Sequence, residues 1–274
     1  MPESESPVRA GAALSTMSGP DACTETTGKS VFIDATGMHY RELNSRLREL
    51  AQQGAEVLIV RGLMGQRYVG TSLQKRVRVV IEGVPGNDLG AFMDGPSIEV
   101  LGDAQDGCGN TMNSGTIVIH GSAGDILGHS MRGGKILVRG DVGYRVGIHM
   151  KEYGAVRPVI VIGGTAQHFL GEYMSGGALI VLGSQLGQGE SHPSRYVGTG
   201  MHGGVIYLRG KVDMAYLGKE VGQAALTAED EWLLQRSTQE YAQFFGADAE
   251  SLLRTPFVKL VPLTKRPYGR LYAY

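Results

Sequence analysis

The sequence has few cysteines, no long apolar run and almost no net charge, and each shortage excludes a class of protein. Two cysteines, Cys23 and Cys108, are too few for an iron–sulfur cluster and predict a reducing compartment. No apolar run reaches the roughly eighteen residues of a membrane span. A net charge of −1, without a long basic run, argues against nucleic acid or an anionic membrane as partner. No secretory signal is visible, so the expected location is the cytoplasm.

Glycine, in contrast, is abundant, and its positions reveal an internal repeat. The chain has 42 glycines in 274 residues, about twice the average share of roughly 7%. A Gly-x-x-Met motif recurs at intervals near twenty residues, which is typical of a solenoid. Its copies are Gly90/Met93, Gly109/Met112, Gly128/Met131, Gly147/Met150, Gly171/Met174 and Gly198/Met201, with Gly70/Leu73 as a looser first copy.

A short run of alternating apolar residues follows each motif and ends at a glycine. The positions two and four before that glycine are always apolar, which is the period of a β-strand. The closing glycines are residues 83, 102, 121, 140, 163, 183 and 210. About twenty residues cannot hold a βαβ unit, which needs roughly thirty, so each strand must stack on its equivalent in the next turn. The pattern predicts an all-β solenoid, a single-stranded, right-handed parallel β-helix of about seven turns with flanking N- and C-terminal α-helices.

Two columns of side chains follow from this prediction. The motif methionines should form a ladder inside the solenoid, where a flexible side chain fills an irregular interior. The position three before Gly62, and three before each of the seven closing glycines, should face outward, yet seven of these eight residues are apolar or aromatic. They are Ile59, Val80, Glu99, Val118, Leu137, Ile160, Ile180 and Tyr207. Because strands that are apolar on both faces are usually covered on both, we expect a terminal helix of this chain, a partner subunit, or both over this outer strip.

The sequence divides into four predicted parts. They are a disordered tail over 1–29, a strand and helix cap over 30–54, the β-helix domain over 55–220, and a C-terminal helix with an extended arm over 221–274. The cap helix should span residues 38–52 and end before Gly54. Thr227 and Asp230 resemble a capping box that starts a helix ending near Phe245. Phe257–Leu263 belongs to the predicted arm.

Two turns carry insertions, Lys151–Pro158 and Leu186–Tyr196. Insertions in solenoids become loops on one face, often the binding face. Residues of these loops and of the C-terminal arm are therefore the predicted partner contacts. They are Lys151, Tyr153, Arg157, Arg195, Tyr196, Tyr268 and Arg270.

The sequence offers no assembled catalytic signature. Gly198–Gly203 spells GxGxxG, but the dinucleotide motif requires a strand before it and a helix after it. An N-terminal nucleophile is not available, since residue 2 is proline. Four histidines, at positions 129, 149, 168 and 202, lie near the corners and do not have the spacing of a zinc site. We interpret them as solvent-facing corner residues, and the alternative is that they bind a ligand or take part in catalysis. We predict no catalytic, cofactor-binding or metal-binding residue in this chain.

The repeat resembles the GXGXG domain that occurs in the glutamate synthase large subunit, in its free-standing relatives, and in one architectural subunit of formylmethanofuran dehydrogenase. The resemblance covers roughly residues 55 to 220. Gly171–Gly183 and the longer turn Gly143–Met150 are similar to the glutamate synthase branch. Gly86–Gly95 and the ending over 266–272 look like the stand-alone subunits.

The resemblance implies a non-catalytic scaffold subunit of a glutamate-synthase-like complex, N-methylglutamate synthase included, that functions in glutamate biosynthesis and nitrogen metabolism. The implied partners are a class II glutamine amidotransferase subunit and an FMN-binding glutamate synthase subunit, with a possible homo-oligomer within the complex. FMN and iron–sulfur clusters are then expected only in the partner subunits. The alternative is the GXGXG-containing subunit of a formylmethanofuran dehydrogenase or formyltransferase/hydrolase complex.

Overall fold

A computed structural model describes residues 30–74, 76–187 and 189–264. Eleven strands, three α-helices and one short 3-10 helix, Met214–Tyr216, follow one another within these ranges. The strands are β1 Ser30–Asp34, β2 Val57–Met64, β3 Arg78–Val84, β4 Asp94–Val100, β5 Ser114–Ile119, β6 Lys135–Val138, β7 Val159–Ile162, β8 Ser175–Val181, β9 Gly203–Arg209, β10 Val221–Ala224 and β11 Phe257–Pro262. The helices are α1 Tyr40–Gln52, α2 Ala228–Phe245 and α3 Ala249–Arg254.

The strands form one sheet in the order β1-β2-β3-β4-β5-β6-β7-β8-β9-β11-β10. Neighbours from β1 to β9 are parallel, and β11 pairs antiparallel with β9 and β10. The parallel β-solenoid and its flanking helices are confirmed, with about six turns where the sequence indicated seven. The six full copies of the motif lie between β3 and β9, whereas the Gly70/Leu73 copy packs against α1.

α1 takes the place of a preceding turn at the N-terminal end. In the regular turns the motif glycine donates its N–H to a carbonyl one turn back, as Gly90 does to Val69 at 2.8 Å. Gly70 has no such turn behind it and donates instead to the Asn44 side chain at 3.0 Å. Leu43 and Leu47, on the same helix, are fully buried against the solenoid core. The helix predicted over residues 38–52 therefore closes the end of the column.

The solenoid interior is a continuous apolar column. The six motif methionines, Met93, Met112, Met131, Met150, Met174 and Met201, are all fully buried, and Leu73 is almost so. Alternate residues of each strand pack on them from the sheet side, such as Ile117 and Ile119. The predicted methionine ladder is confirmed, and its packing is of the apolar, close-fitting kind that stabilises a domain core.

One turn of the predicted register is wrong by a single residue. Ile162 pairs with Val138, so Ile160 and Ile162 face the interior and Val159 and Val161 face outward, the reverse of the sequence-based placement. Two glycines close this turn, and the second, Gly164, stacks on Gly140 with an N–H···O distance of 3.0 Å. Because side chains alternate along a strand, a shift of one residue exchanges the two faces.

The C-terminal part differs from the expected extended arm. Phe257–Pro262 forms β11, which inserts between β9 and β10 and extends the sheet. The helix predicted from Thr227 begins there with both halves of a capping box and ends at Gly246 in the left-handed region. The short helix α3 and strand β10 were not predicted, since neither has a marked hydrophobic period.

Candidate partner interface

Each repeat motif turns a corner through three residues of positive φ. They lie two before the motif glycine, at the glycine, and two after it, as in Phe169, Gly171 and Tyr173 with φ of 64°, 69° and 51°. A left-handed backbone is unusual for bulky residues. The non-glycine examples in the corners are Tyr68, Ser72, Asp88, Phe92, Thr111, Ile126, Ser130, Arg145, His149, Phe169, Tyr173 and Tyr196.

Hydrogen bonds between turns hold this conformation. Phe169 donates its N–H to Arg195 O in the next turn at 2.8 Å, and Gly171 donates to Val146 O in the previous turn at 2.8 Å. A strained backbone conformation persists where surrounding interactions fix it, and here the hydrogen bonds to the two neighbouring turns fix the left-handed corners. The outer side chains therefore project from the corners at the spacing of the turns.

These side chains stack into two columns, which we name the corner face together with the neighbouring Tyr144–His168 pair, whose rings meet edge to face at 5.5 Å. The corner face consists of His129, Tyr144, Arg145, His149, His168, Phe169, Tyr173, Arg195 and Tyr196. In the first column the Arg145 guanidinium lies 4.7 Å from the Phe169 ring, and the Phe169 and Tyr196 rings stack at 5.0 Å. Tyr196 is 54% exposed. Aromatic and arginine side chains are the ones enriched at protein interfaces.

The second column contains histidine and tyrosine. The His149 and Tyr173 rings stack at 5.5 Å, and His129 meets His149 edge to face at 6.0 Å. Burial, together with the neighbouring His149, lowers the pKa of His129. Gly200 lies under the Tyr173 ring, where a Cβ atom would collide with the ring carbons. The ring is thus held in place by its surroundings.

The insertion over Leu186–Tyr196 leads into the corner face. Ser194 Oγ donates to Gln167 O at 2.6 Å, which fixes the end of the loop on the previous turn. Arg195 then lies with its guanidinium 4.8 Å from the Tyr216 ring. Two predicted contact residues, Arg195 and Tyr196, are therefore exposed members of one preorganised surface.

The insertion over 151–158 lies elsewhere, so the expectation that both insertions share a face is wrong. It precedes β7, whereas the other insertion follows β8, and the two loops lie at opposite ends of the parallel strands. Lys151 is exposed and Tyr153 is 88% exposed. Arg157 is half-buried, 3.7 Å from carboxylate oxygens of Glu152 and of Glu229 in α2. Tyr268 and Arg270 lie outside the described residues.

α2 lies over part of the outer strip. Val118, Leu137, Val161, Ile180 and Tyr207 are at most 1% exposed and pack with Leu234 and Tyr241 of the helix. The prediction that a terminal helix covers the strip is confirmed for β5 to β9. Ile59 and Val80, further toward the N-terminus, are only half-buried.

A buried polar network fixes the start of this helix. The Tyr207 hydroxyl donates to Asp230 Oδ1 at 2.5 Å, and Lys259 Nζ and the Thr227 N–H donate to Oδ2, each at 2.6 Å. Burial works against ionisation of Asp230, but these hydrogen bonds outweigh it and hold the pKa of the carboxyl well below its usual range. β9, α2 and β11 are joined at this point.

Two further titratable side chains, Cys108 and His192, have pKa values shifted by burial. Burial raises the pKa of the Cys108 thiol, so it remains a neutral core residue. Burial lowers the pKa of His192, whose ring contacts Arg209 O at 2.8 Å. Within the described residues no three His, Cys, Asp or Glu side chains come together as metal ligands. None of the helices in this part of the chain has the length and apolar character to cross a membrane.

Comparison with known proteins agrees with this architecture. The model of the GXGXG motif family matches residues 53–263. The uncharacterized protein MJ1350 of Methanocaldococcus jannaschii is 46% identical over 255 residues, covering 89% of this chain and 97% of that protein. A chain of the formyltransferase/hydrolase complex FhcABCD of Methylorubrum extorquens, crystallised with methylofuran, has the same fold, with a TM-score of 0.57 at 20% identity. The match covers 84% of this chain and 93% of that chain.

The family match spans most of the sequence, includes every copy of the repeat motif, and agrees with the solenoid and its corners. This chain therefore belongs to the GXGXG motif family.

Proposed function

We propose that this protein is a non-catalytic scaffold subunit of a glutamate-synthase-like complex, in which it holds an ammonia-producing glutamine amidotransferase and an FMN-dependent synthase at a fixed separation. The observation that carries this proposal is the corner face, a stacked aromatic and basic surface on a rigid column. Its side chains are already ordered by neighbouring turns, so little rotamer entropy is lost when a partner binds. The FMN and iron–sulfur chemistry would belong to the partners.

The column is suited to this task because stacked turns are about 4.8 Å apart. Six turns give a spacer about 30 Å long whose interior is filled by methionine and aliphatic side chains. The Gly171–Gly183 segment resembles the glutamate synthase branch and favours that complex. The fold shared with a formyltransferase/hydrolase complex chain favours the second candidate, an architectural subunit in one-carbon metabolism.

Purification of a tagged chain from its native host, followed by mass spectrometry of the retained proteins, separates the two candidates. We expect an amidotransferase and a flavoprotein. Retention of formyltransferase/hydrolase subunits would favour the second candidate, and the isolated chain as the only species would contradict both.

The corner face is tested in the same purification. Arg195→Glu reverses a charge in the corner face and should weaken retention of a partner by about tenfold or more. Arg41→Glu makes the same change at an exposed arginine of α1, which likewise lies over a tyrosine ring, and is the control. Equal retention by the two variants would place the interface elsewhere on the molecule.

A further inference from the structure

Within the described residues the sheet has a free edge at its N-terminal end. β1 is the outermost strand of this part of the chain and pairs there with β2 alone. Ala35 donates its N–H to Arg61 O at 2.8 Å, on the β2 side. Because N–H directions alternate along a strand, those of Phe32 and Asp34 point away from β2. An edge with free backbone groups is a template for an added strand.

A groove of about 340 Å³ runs along this edge, with one face of α1 as its other wall. The strand side and the following turn contribute apolar surface, and the helix contributes polar residues at spacings of three and four. Phe32 and Met38 supply apolar surface, and the charged residues of the lining are Asp34, Glu42, Arg46 and Glu49. A strand edge beside a helix is the arrangement in which extended peptides add to a sheet through main-chain hydrogen bonds.

The charge of the groove selects its occupant. Its lining has three carboxylates, those of Asp34, Glu42 and Glu49, and one guanidinium, that of Arg46. Arg46 lies 3.9 Å from Glu49, which leaves two carboxylates without a cationic partner in the groove. Complementary charge steers association and disfavours partners of like charge, so a basic segment fits here.

The chain itself contains such a segment outside the described residues. Residues 265–274 carry Lys265, Arg266 and Arg270 without an acidic residue, and include Tyr268 and Leu271 as apolar anchors. The other long segment outside the described residues, 1–29, has four acidic and two basic side chains and would be repelled. We propose that the β1 edge of one molecule binds residues 265–274 of a second molecule as an added strand.

Residues 265–274 are too short to reach β1 of their own molecule, so the bound segment must come from a second molecule. In the sheet order β11 lies nine strand spacings from β1, or about 43 Å at roughly 4.8 Å each. The ten residues that follow Thr264 extend at most about 36 Å. If two molecules exchange these segments reciprocally they form a closed two-fold dimer, and if the contact is made in one direction it produces head-to-tail rings or open chains.

Sedimentation of the full-length protein tests the proposal. We expect a mass above the 29.3 kDa monomer that rises with concentration, and a synthetic 265–274 peptide should return it to monomer. Glu42→Lys should weaken association about tenfold or more, and so should Arg270→Glu. The control is Glu231→Lys, because Glu231 is likewise an exposed first-turn glutamate of a helix. Combining Glu42→Lys with Arg270→Glu should restore association.

Phe32→Pro gives a second, independent test, because it removes an outward N–H and leaves the β1–β2 pairing in place. It should abolish peptide binding while the far-ultraviolet circular dichroism stays that of the parent. A monomer at all concentrations without peptide binding would overturn the proposal. So would binding that Glu42→Lys and Phe32→Pro leave unchanged, or binding that needs removal of residues 1–29, which would make that tail the occupant.

Discussion

The outer strip has two halves that are similarly apolar in sequence but differ in how much of their surface is exposed in the structure. From β5 to β9 its residues are sealed beneath α2, whereas in β2 and β3 Ile59 and Val80 are half-buried and Phe32 of β1 is 63% exposed. α2 crosses the strands, with Asp230 on β9 and Phe245 against His120 at the end of β5. An 18-residue helix is about 27 Å long. That length covers about five strands at roughly 4.8 Å, so the length of the helix sets the limit of the cover.

Glu99, the single polar residue of the strip, marks the boundary between the halves. Its carboxylate lies 2.7 Å from Arg78 and 3.0 Å from His120, whose ring meets Phe245 at the end of α2. Burial opposes ionisation of Glu99, but bonds from Arg78 and His120 outweigh it and lower its pKa. A charged residue is tolerated at this position because α2 ends here and solvent reaches the neighbouring surface.

Loss of Asp230 should have the largest effect on the covered half. Asp230→Ala leaves the Lys259 ammonium buried without its carboxylate and removes the reciprocal cap of α2. Removing one partner of a buried pair costs about 3–5 kcal/mol. The free energy of unfolding in urea should fall by that amount.

Glu231→Ala is the matched control, since Glu231 is the next residue in the same helical turn and is exposed. It should change the free energy of unfolding by less than about 0.5 kcal/mol. A similar small change for Asp230→Ala would mean that the network does not hold the helix on the sheet.

Acid should loosen the covered half through the same carboxyl. The pKa of Asp230 is depressed in the folded state, so the unfolded chain binds the proton first as pH falls below about 4. The stabilisation is therefore fully present at neutral pH, and it is lost progressively as pH falls from about 4, the pKa in the unfolded chain, toward the lower pKa of the folded state. Urea unfolding at pH 7 and pH 3 should show a larger loss for the parent than for Asp230→Asn. Equal losses would assign the acid sensitivity to other groups.

Local sequence patterns were sufficient to predict the interior and the helix ends. Period-two alternation and the Gly-x-x-Met spacing placed every motif methionine correctly, since both depend on backbone geometry. The capping box at Thr227 and the left-handed Gly246 were likewise predictable, because the first turn and the C-cap of a helix have local residue preferences.

The outer surface was less predictable because its determinants are tertiary. The left-handed corner positions are occupied by residues such as Phe92 and Arg145, and only Gly107 and Gly200 among the equivalent positions hint at their conformation. Either glycine of the pair Gly163–Gly164 fits the pattern as the glycine that closes β7, and the hydrogen bond from Gly164 to Gly140 shows that it is Gly164. The corner face itself depends on stacking between turns that are about twenty residues apart, which no local window contains.

A matched pair of substitutions sharpens the comparison of the two halves. Val118 and Val80 occupy the same position of the repeat, but Val118 is 1% exposed and Val80 is half-buried. Val118→Thr buries a hydroxyl group among apolar side chains and should cost about 1–2 kcal/mol of unfolding free energy. Val80→Thr should cost only a few tenths because water reaches the hydroxyl. Equal costs in thermal or urea unfolding would mean that a further surface covers Val80 in solution.

The smallest expected effect is at the boundary. Glu99→Gln keeps the shape of the side chain but removes the charge that faces Arg78 and His120. Because the Arg78 side chain is 59% exposed, the loss should be only about 0.5–1 kcal/mol of unfolding free energy. About 1 M salt should reduce the difference between parent and variant, since the Debye length is then roughly 3 Å. A loss that salt leaves unchanged would show that Glu99 acts by packing against the end of α2, and the boundary would then be steric rather than electrostatic.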